Sequence, residues 1–334
     1  MPTRVTSKSP KRTDSTSFQE DIVLTEREIF QLILNHEKPP RFPKDAIQLS
    51  FTPGEHTLEP NGGYDWFGVY WVKQADGTQT ERPGERRIES MEDWKEAMPS
   101  EVNEEEMRIW GEKTQQGYDR ENKVQVVGLW SGHFERMQSL VGFEDALTAF
   151  YEYPDEVMEY MEAMTEFKIE EMRLIKKYYN PDIISPHDDW GMNNNMFIPP
   201  EMWREYIKPQ VKRMVEAAHE LGMIYEQHSC GYITQIIGDL VECGVDMMEI
   251  QAVNDLKYIK ETYGDKIVLR GCFNGQKLGA PSMTPEKARE EVRNTLNTVA
   301  KDGGFIAQRI WGTKPEVMAA ILDEYDRFSE ENYK

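Results

Sequence analysis

Glu226, His228 and Cys230 stand at alternate positions in the run Met223-Ile224-Tyr225-Glu226-Gln227-His228-Ser229-Cys230-Gly231. In an extended segment alternate side chains share a face. A carboxylate, an imidazole and a thiol would then leave the end of one strand in the same direction. Those are donor types that Zn²⁺ takes, and a catalytic zinc needs only three protein ligands, with a fourth position open to water or substrate. The competing reading is a core histidine beside an inert thiol, because free cysteine often packs as a small hydrophobe. The surroundings decide between the two.

A strand that presents such residues needs neighbours, and the chain supplies them in a regular alternation. Thr25 with Glu28 predicts a capped helix over about 26–35, and Ala46 to Phe51 alternates like a strand. The region 54–87 is irregular and rich in aromatics, and Phe67 to Val72 before Ala75-Asp76-Gly77-Thr78 reads as a β-hairpin whose rings pack its own core rather than wall a ligand. Ser90 caps a short helix through Lys95, and 101–113 reads as an acidic, solvated one. From Val124 onward short apolar runs (124–130, 181–185, 223–226, 245–250, 266–270, 304–310) alternate with helical patterns (143–151, 154–178, 199–222, 233–242, 256–263, 284–301, 314–328). At least six βα units with short connections predict a doubly wound sheet or a TIM (β/α)8 barrel. A doubly wound nucleotide-binding sheet calls for a G-x-G-x-x-G turn, and the sequence has none.

The barrel places chemistry on the loops after its strands, and those loops are polar here: Trp130-Ser131-Gly132-His133, Pro186-His187-Asp188-Asp189-Trp190-Gly191, His228-Ser229-Cys230-Gly231, Gln251, Gly271-Cys272-Phe273-Asn274 and Gln308-Arg309. Asp188 and Asp189 are expected to hold a cationic or metal-bound group or to share a proton. Cys272, two strands from Cys230, is a candidate third metal ligand beside Glu226. Trp130, His133, Gln251, Asn274 and Gln308 are candidate substrate-binding residues, whereas Cys243, at a helix end, reads as structural.

A net charge of −21 over 334 residues argues against a nucleic-acid groove, and no apolar run reaches membrane-spanning length. Met1 to Glu20 is polar and lacks a secretory core, so it reads as a disordered tail before a single domain over 21–334. Three scattered cysteines make no disulfide framework, which points to a reduced, cytoplasmic protein.

The runs His228-Ser229-Cys230-Gly231-Tyr232-Ile233 and Asp239 to Asp246 resemble the uroporphyrinogen decarboxylase superfamily. So do Asp188-Asp189-Trp190-Gly191 with Ile198 to Trp203, Gly142 to Leu147, and Gly264 to Gly271. The resemblance extends from Leu24 to Phe328 and implies a TIM barrel. True decarboxylases carry an M-R-Q-A-G-R segment suited to substrate carboxylates, where this chain reads Lys38-Pro39-Pro40-Arg41-Phe42-Pro43-Lys44-Asp45. The cobalamin-dependent methyltransferases of the superfamily hold zinc with an H-x-C motif, matched by His228 and Cys230, and a later Cys, where this chain has Ala307-Gln308-Arg309-Ile310. The resemblance thus implies a methyltransferase moving a methyl group between a small molecule and a corrinoid, free or on a separate corrinoid protein, with Zn²⁺ on His228, Cys230 and Cys272 or Glu226. The alternatives are a porphyrinogen decarboxylase using Asp188 or Asp189 at a protonated pyrrole, and a non-catalytic corrinoid- or tetrapyrrole-binding barrel.

Overall fold

The computed structural model describes residues 24–43, 46–54, 62–74, 79–308, 310 and 312–333. The tail at 1–20, the hairpin turn at 75–78 and Arg309 lie outside them.

Helix α1 (Glu26–Leu34) carries the expected capping box, with Thr25 Oγ1 accepting from the Glu28 N–H and the Glu28 carboxylate accepting from the Thr25 N–H. Strand β1 (Ile47–Phe51) follows. A three-stranded antiparallel sheet comes next, made of β2 (Gly63–Tyr64), β3 (Tyr70–Lys73) and β4 (Gln79–Glu81). Phe67 and Trp71 are buried there, so these rings do pack the small sheet. Asp65 ties it down, accepting from the Phe67 and Val69 N–H groups and from Trp71 Nε1. After α2 (Trp94–Ala97) and α3 (Glu104–Gln115) the alternation begins: β5 (Val124–Leu129), α4 (His133–Val141), α5 (Phe143–Glu152), α6 (Pro154–Tyr178), β6 (Ile183–Pro186), α7 (Pro200–Tyr206), α8 (Lys208–Glu220) and β7 (Ile224–Ser229). It continues with α9 (Ile237–Cys243), β8 (Met247–Ile250), α10 (Leu256–Tyr263), β9 (Val268–Gly271), α11 (Gly275–Gly279), α12 (Pro285–Val299), β10 (Phe305–Ile306) and α13 (Pro315–Asn332). Among the described residues no helix is long and apolar enough to cross a membrane.

The helix expected over 199–222 is two helices, broken at Ile207. Pro209 explains the break, because its ring has no N–H to donate and collides with the carbonyl four residues back. It is accommodated in the first turn of α8, where the missing donor does no harm.

Seven strands form one parallel sheet in the order β1-β5-β6-β7-β8-β9-β10, each beside its predecessor and joined by helical crossovers. Every one of the seven contributes to a single apolar cluster, from Ile47 of β1 through Ile183 of β6 and Met247 of β8 to Ile306 of β10. First and last strands share a cluster only if the sheet curls round on itself. This is the TIM-barrel architecture that the βα series predicts, with seven parallel strands rather than eight among the described residues. Ile29, Phe30 and Ile33 of α1 complete the cluster and plug the end where the strands start. Residues of opposite parity, such as Ile184, Tyr225, Met248 and Leu269, pack outward in the cluster shared with the helices.

Following the inward parity toward the strands' ends leads from this apolar floor to charge. Ile224 gives way to Glu226, His228 and Cys230; Met247 to Glu249; Val268 to Arg270; Ile183 to Ser185 and His187. In the ladder His228 is level with Glu249 and Glu249 with Arg270.

Candidate active site

The first polar layer is an ion-pair network. Arg270 donates from Nε to Glu226 Oε1 at 2.6 Å, from Nη2 to Glu226 Oε2 at 2.5 Å and Glu249 Oε2 at 2.7 Å, and from Nη1 to Gln308 Oε1 at 2.8 Å. Ser185 Oγ adds a bond to Glu226 Oε2 at 2.8 Å. Both oxygens of the fully buried Glu226 are therefore engaged, and the metal-ligand role expected for it is corrected. It is the counter-ion of Arg270 beneath the reactive layer.

Level with Glu249, near the end of β7, sits His228. Its Nδ1 lies 3.1 Å from Glu249 Oε2, and its Nε2 lies 3.5 Å from both Asp189 Oδ1 and Cys230 Sγ. The Nδ1–Glu249 contact is close enough for an ion pair but off the hydrogen-bond direction, so Nδ1 has no aligned acceptor. Burial alone would lower the imidazole pKa, yet the Glu249 charge and bonding to Asp189 hold it well above the ordinary histidine value. Asp189 is half-buried, which by itself would raise its carboxyl, but His228 keeps it below the usual range, and Arg270 and His228 hold Glu249 well below it against the same effect. Burial pushes the Cys230 thiol up, against the pull of His228. Cys230 is further fixed from two sides: its N–H donates to Asp189 Oδ1 at 2.6 Å, and Gln251 Nε2 donates to its Sγ at 3.2 Å. Gln251 Oε1 accepts from the Gly231 N–H at 3.1 Å, so this side chain orients the thiol and its loop.

Among the described residues two groups of three donors have their atoms within 4.8 Å of one another, Asp189/His228/Cys230 and His187/His228/Glu249. They are not equivalent. The rings of His187 and His228 are stacked, with centroids 4.2 Å apart and planes 20° from parallel. Imidazole lone pairs lie in the ring plane, so two stacked rings direct them side by side and cannot aim them at one ion. The first group has no such conflict. Its two 3.5 Å separations from His228 Nε2 match the edge of a zinc tetrahedron, about 3.3–3.8 Å for bonds of about 2.0–2.3 Å. With Nε2 given to a metal, Nδ1 carries the proton toward Glu249, which Arg270 holds in place. A carboxylate behind a ligating histidine is the usual second layer of a zinc site. The donor set of oxygen, nitrogen and sulfur fits zinc, and the third ligand it offers is Asp189.

Cys272 is corrected as a ligand. Gly271 and Cys272 have φ of +77° and +60°, so the pleat ends at Arg270 and the thiol turns into packing, fully buried, with Sγ 3.8 Å from the Arg270 carbonyl. Burial, then the Glu249 charge, raises its pKa far above the ordinary thiol value. Cys243, buried in α9, is structural as expected. Asp188 is corrected likewise. Its carboxylate accepts from the Phe134 and Glu135 N–H groups, the latter at 2.9 Å, and from Trp190 Nε1 at 2.8 Å, capping α4 across the mouth. Burial lifts its pKa to about 6 despite these donors. Gly132 is what lets the carboxylate reach the helix end, since a Cβ there would lie 2.3 Å from Asp188 Cβ.

His133 does not face substrate. It is buried in α4 with Nε2 2.7 Å from Thr165 Oγ1, and burial lowers its pKa to about 3. A depressed imidazole pKa means that the unfolded chain binds the proton more tightly. Its contribution to stability is whole above about pH 6.5 and is lost as pH falls toward 3, at about 1.4 kcal/mol per pH unit. Denaturant midpoints measured from pH 7 to pH 5 should therefore fall less steeply in His133→Asn than in the parent, by close to one proton. An unchanged slope would exclude this assignment.

Trp130 is half-buried at the mouth. Gln308 lines a cleft of about 210 Å³ with His228, Glu249, Gln251 and Phe273, and Asn274 lines an adjoining one of about 220 Å³ while its Oδ1 caps α11 through the Lys277 N–H. A larger cleft, about 1070 Å³, lies away from this chemistry on the flank formed by 98–105 and α6. Glu249 and Arg270 were absent from the expected site, although a lone charge in each of the apolar runs Met247-Met248-Glu249-Ile250 and Val268-Leu269-Arg270 signals an inward function. Glu135 was absent too. Half-buried in the first turn of α4, its carboxyl is raised well above the usual range by burial and by the charges of Asp189 and Asp188.

A family model described as Uroporphyrinogen decarboxylase (URO-D) matches residues 73–327. The chain belongs to the uroporphyrinogen decarboxylase family. No curated protein matches it. Among solved structures its fold is similar to that of a methyltransferase from Methanosarcina mazei, with 15% identity and a TM-score of 0.64, covering 92% of this chain and 99% of that one. Slighter likenesses include an Old Yellow Enzyme from Pichia sp. AKU4542, at 11% identity and TM-score 0.46 over 94% and 84% of the two chains. A Cellulomonas fimi endo-beta-1,4-mannanase double mutant follows at 12% identity and 0.42 over 71% and 60%. For this member of the uroporphyrinogen decarboxylase family, the engagement of Asp188 as a helix cap removes one of the two carboxylates offered for a protonated pyrrole, and Asp189 is turned toward His228 and Cys230.

Proposed function

We propose that this protein is a methyltransferase that moves a methyl group between a small molecule and a cobamide, with zinc held by Asp189, His228 and Cys230. The observation that carries the reading is the convergence of these three donors, with Glu249 behind the histidine and Gln251 on the sulfur. Bound there, zinc supplies Lewis acidity toward a thiol or an ether oxygen. The chain's own groups do the rest. Glu249 faces Nδ1 of His228 and favours the tautomer with its proton there, leaving Nε2 for the metal, while Arg270 keeps Glu249 ionised and Gln251 holds the Cys230 sulfur against rotation. The methyl moves as a cation equivalent: the electron pair of the broken bond stays on the atom it leaves, and the incoming nucleophile provides the pair for the new bond.

The test combines elemental analysis with loss of the methylcobalamin absorbance in the presence of a thiol or phenol acceptor. Near-stoichiometric zinc is expected in the parent. Cys230→Ala and Asp189→Ala should lose more than about 100-fold in zinc affinity, and Glu249→Gln about 10–100-fold, the range for outer-layer partners. Cys272→Ala should retain the metal. Parent protein that transfers methyl without metal, or loss of zinc in Cys272→Ala but not in Asp189→Ala, refutes the assignment.

A further inference from the structure

Four rings run side by side across the mouth on successive strands, and the zinc reading makes use of only the last. Phe51 ends β1, Trp130 follows β5, His187 follows β6 and His228 is near the end of β7, and all four are half-buried. Phe51 and Trp130 are stacked, with centroids 4.3 Å apart and planes 19° from parallel. The His187 ring is steeply inclined to both, at 80° and 64° with centroids 6.1 and 5.0 Å away, and stacks in turn on His228. Gly128 permits this arrangement, since a Cβ there would come within 2.5 Å of the Phe51 ring. Beyond His228 the same layer turns polar, with Glu249, Arg270 and Gln308. The rim is thus divided into an aromatic half and a charged half, with the donor triad at the seam.

From this division we infer that the small molecule is a planar aromatic compound, its ring laid on the Phe51–Trp130 stack and its polar substituent directed to the Cys230 side. The inference rests on the methyl-transfer reading only in making that ring the carrier or acceptor of the methyl. The geometry separates it from the other ligand class that aromatic walls bind. A quaternary ammonium needs several ring faces turned on one point. Here the two large rings cover one face of each other and lie nearly parallel, so they cannot turn several faces on one point, which makes a platform and not a cage. Offset stacking of a further flat ring continues the existing stack.

The experiment is calorimetric titration of the full chain with 2-methoxyphenol, tetramethylammonium, 2-methoxyethanol and hydroxocobalamin. The aromatic probe should bind at least about tenfold more tightly than the ammonium or the aliphatic ether. Trp130→Leu should weaken it about tenfold, the loss expected for one stacked ring, and Trp130→Phe should restore most of it. Unchanged zinc content and circular dichroism in Trp130→Leu exclude a folding defect as the cause. Equal binding of the ammonium or the aliphatic ether overturns the proposal, as does an affinity for 2-methoxyphenol that Trp130→Leu leaves unchanged. A loss in Trp130→Leu confined to hydroxocobalamin would assign the platform to the corrin and overturn it as well. Aromatic binding that depends on Trp130 in a protein without methyl transfer upholds the platform and refutes the reaction. Methyl transfer in a protein whose aromatic binding ignores Trp130 does the reverse.

Discussion

Arg270→Met is expected to lower stability by about 3–5 kcal/mol, read as a shift of the urea midpoint with the slope unchanged. The substitution approximates the shape of the side chain and removes the cation that bridges Glu226 and Glu249. Glu226, fully buried and bonded at both oxygens, is then left with Ser185 alone among the described residues. A buried carboxylate deprived of its partner is far more costly than a buried pair replaced whole. The double variant Arg270→Met/Glu226→Leu should accordingly recover more than half of the loss. If the two single losses simply add in the double variant, the residues are not coupled and the layer is not the electrostatic unit described. Zinc affinity should fall in Arg270→Met and stay low in the double, because Glu249 loses its anchor in both.

Gly231→Ala is expected to destabilise the protein by on the order of 4 kcal/mol or more, a loss that few single methyl groups cause. Gly231 has φ of +76°, which side chains with a Cβ resist, and that Cβ would lie 1.9 Å from the Gly191 carbonyl oxygen. The obstacle is backbone on backbone, so no rotamer relieves it. The two glycines bring the loop after β6 against the loop after β7, and with it Asp189 to the Cys230 N–H. Forced apart, the loops separate two of the three proposed zinc donors. Zinc content should therefore fall together with the unfolding midpoint. A Gly231→Ala protein of parental stability that keeps its metal would contradict this account of the loops.

The parts of the site that sequence made legible were those set by strand pleat. Alternation placed His228 and Cys230 on one face, and the run of βα units was sufficient for the barrel. The parts it hid depend on backbone that leaves the pleat or on partners distant in sequence. Cys272 follows Arg270 at inward parity, but two positive φ angles turn it away. Asp188 and Asp189 are adjacent and alike in composition, and only the position of α4 makes one a helix cap and the other a neighbour of the thiol. Helix α4 itself begins at His133, in a stretch that reads as loop, because its cap is supplied by Asp188 and not by a local Ser, Thr, Asp or Asn. Glu226 looked like a ligand because its partner Arg270 is 44 residues away in sequence.

The apolar floor sealed by Ile29, Phe30 and Ile33 leaves the strands' outlet as the way in and out. Two reactants of unequal size must then share one doorway. On the proposed reaction the smaller has to be seated before the macrocycle closes over it, and the macrocycle has to depart before the smaller is released. Turnover would follow a compulsory order, with the cobamide, offered in excess, acting as a dead-end inhibitor competitive against its own small partner.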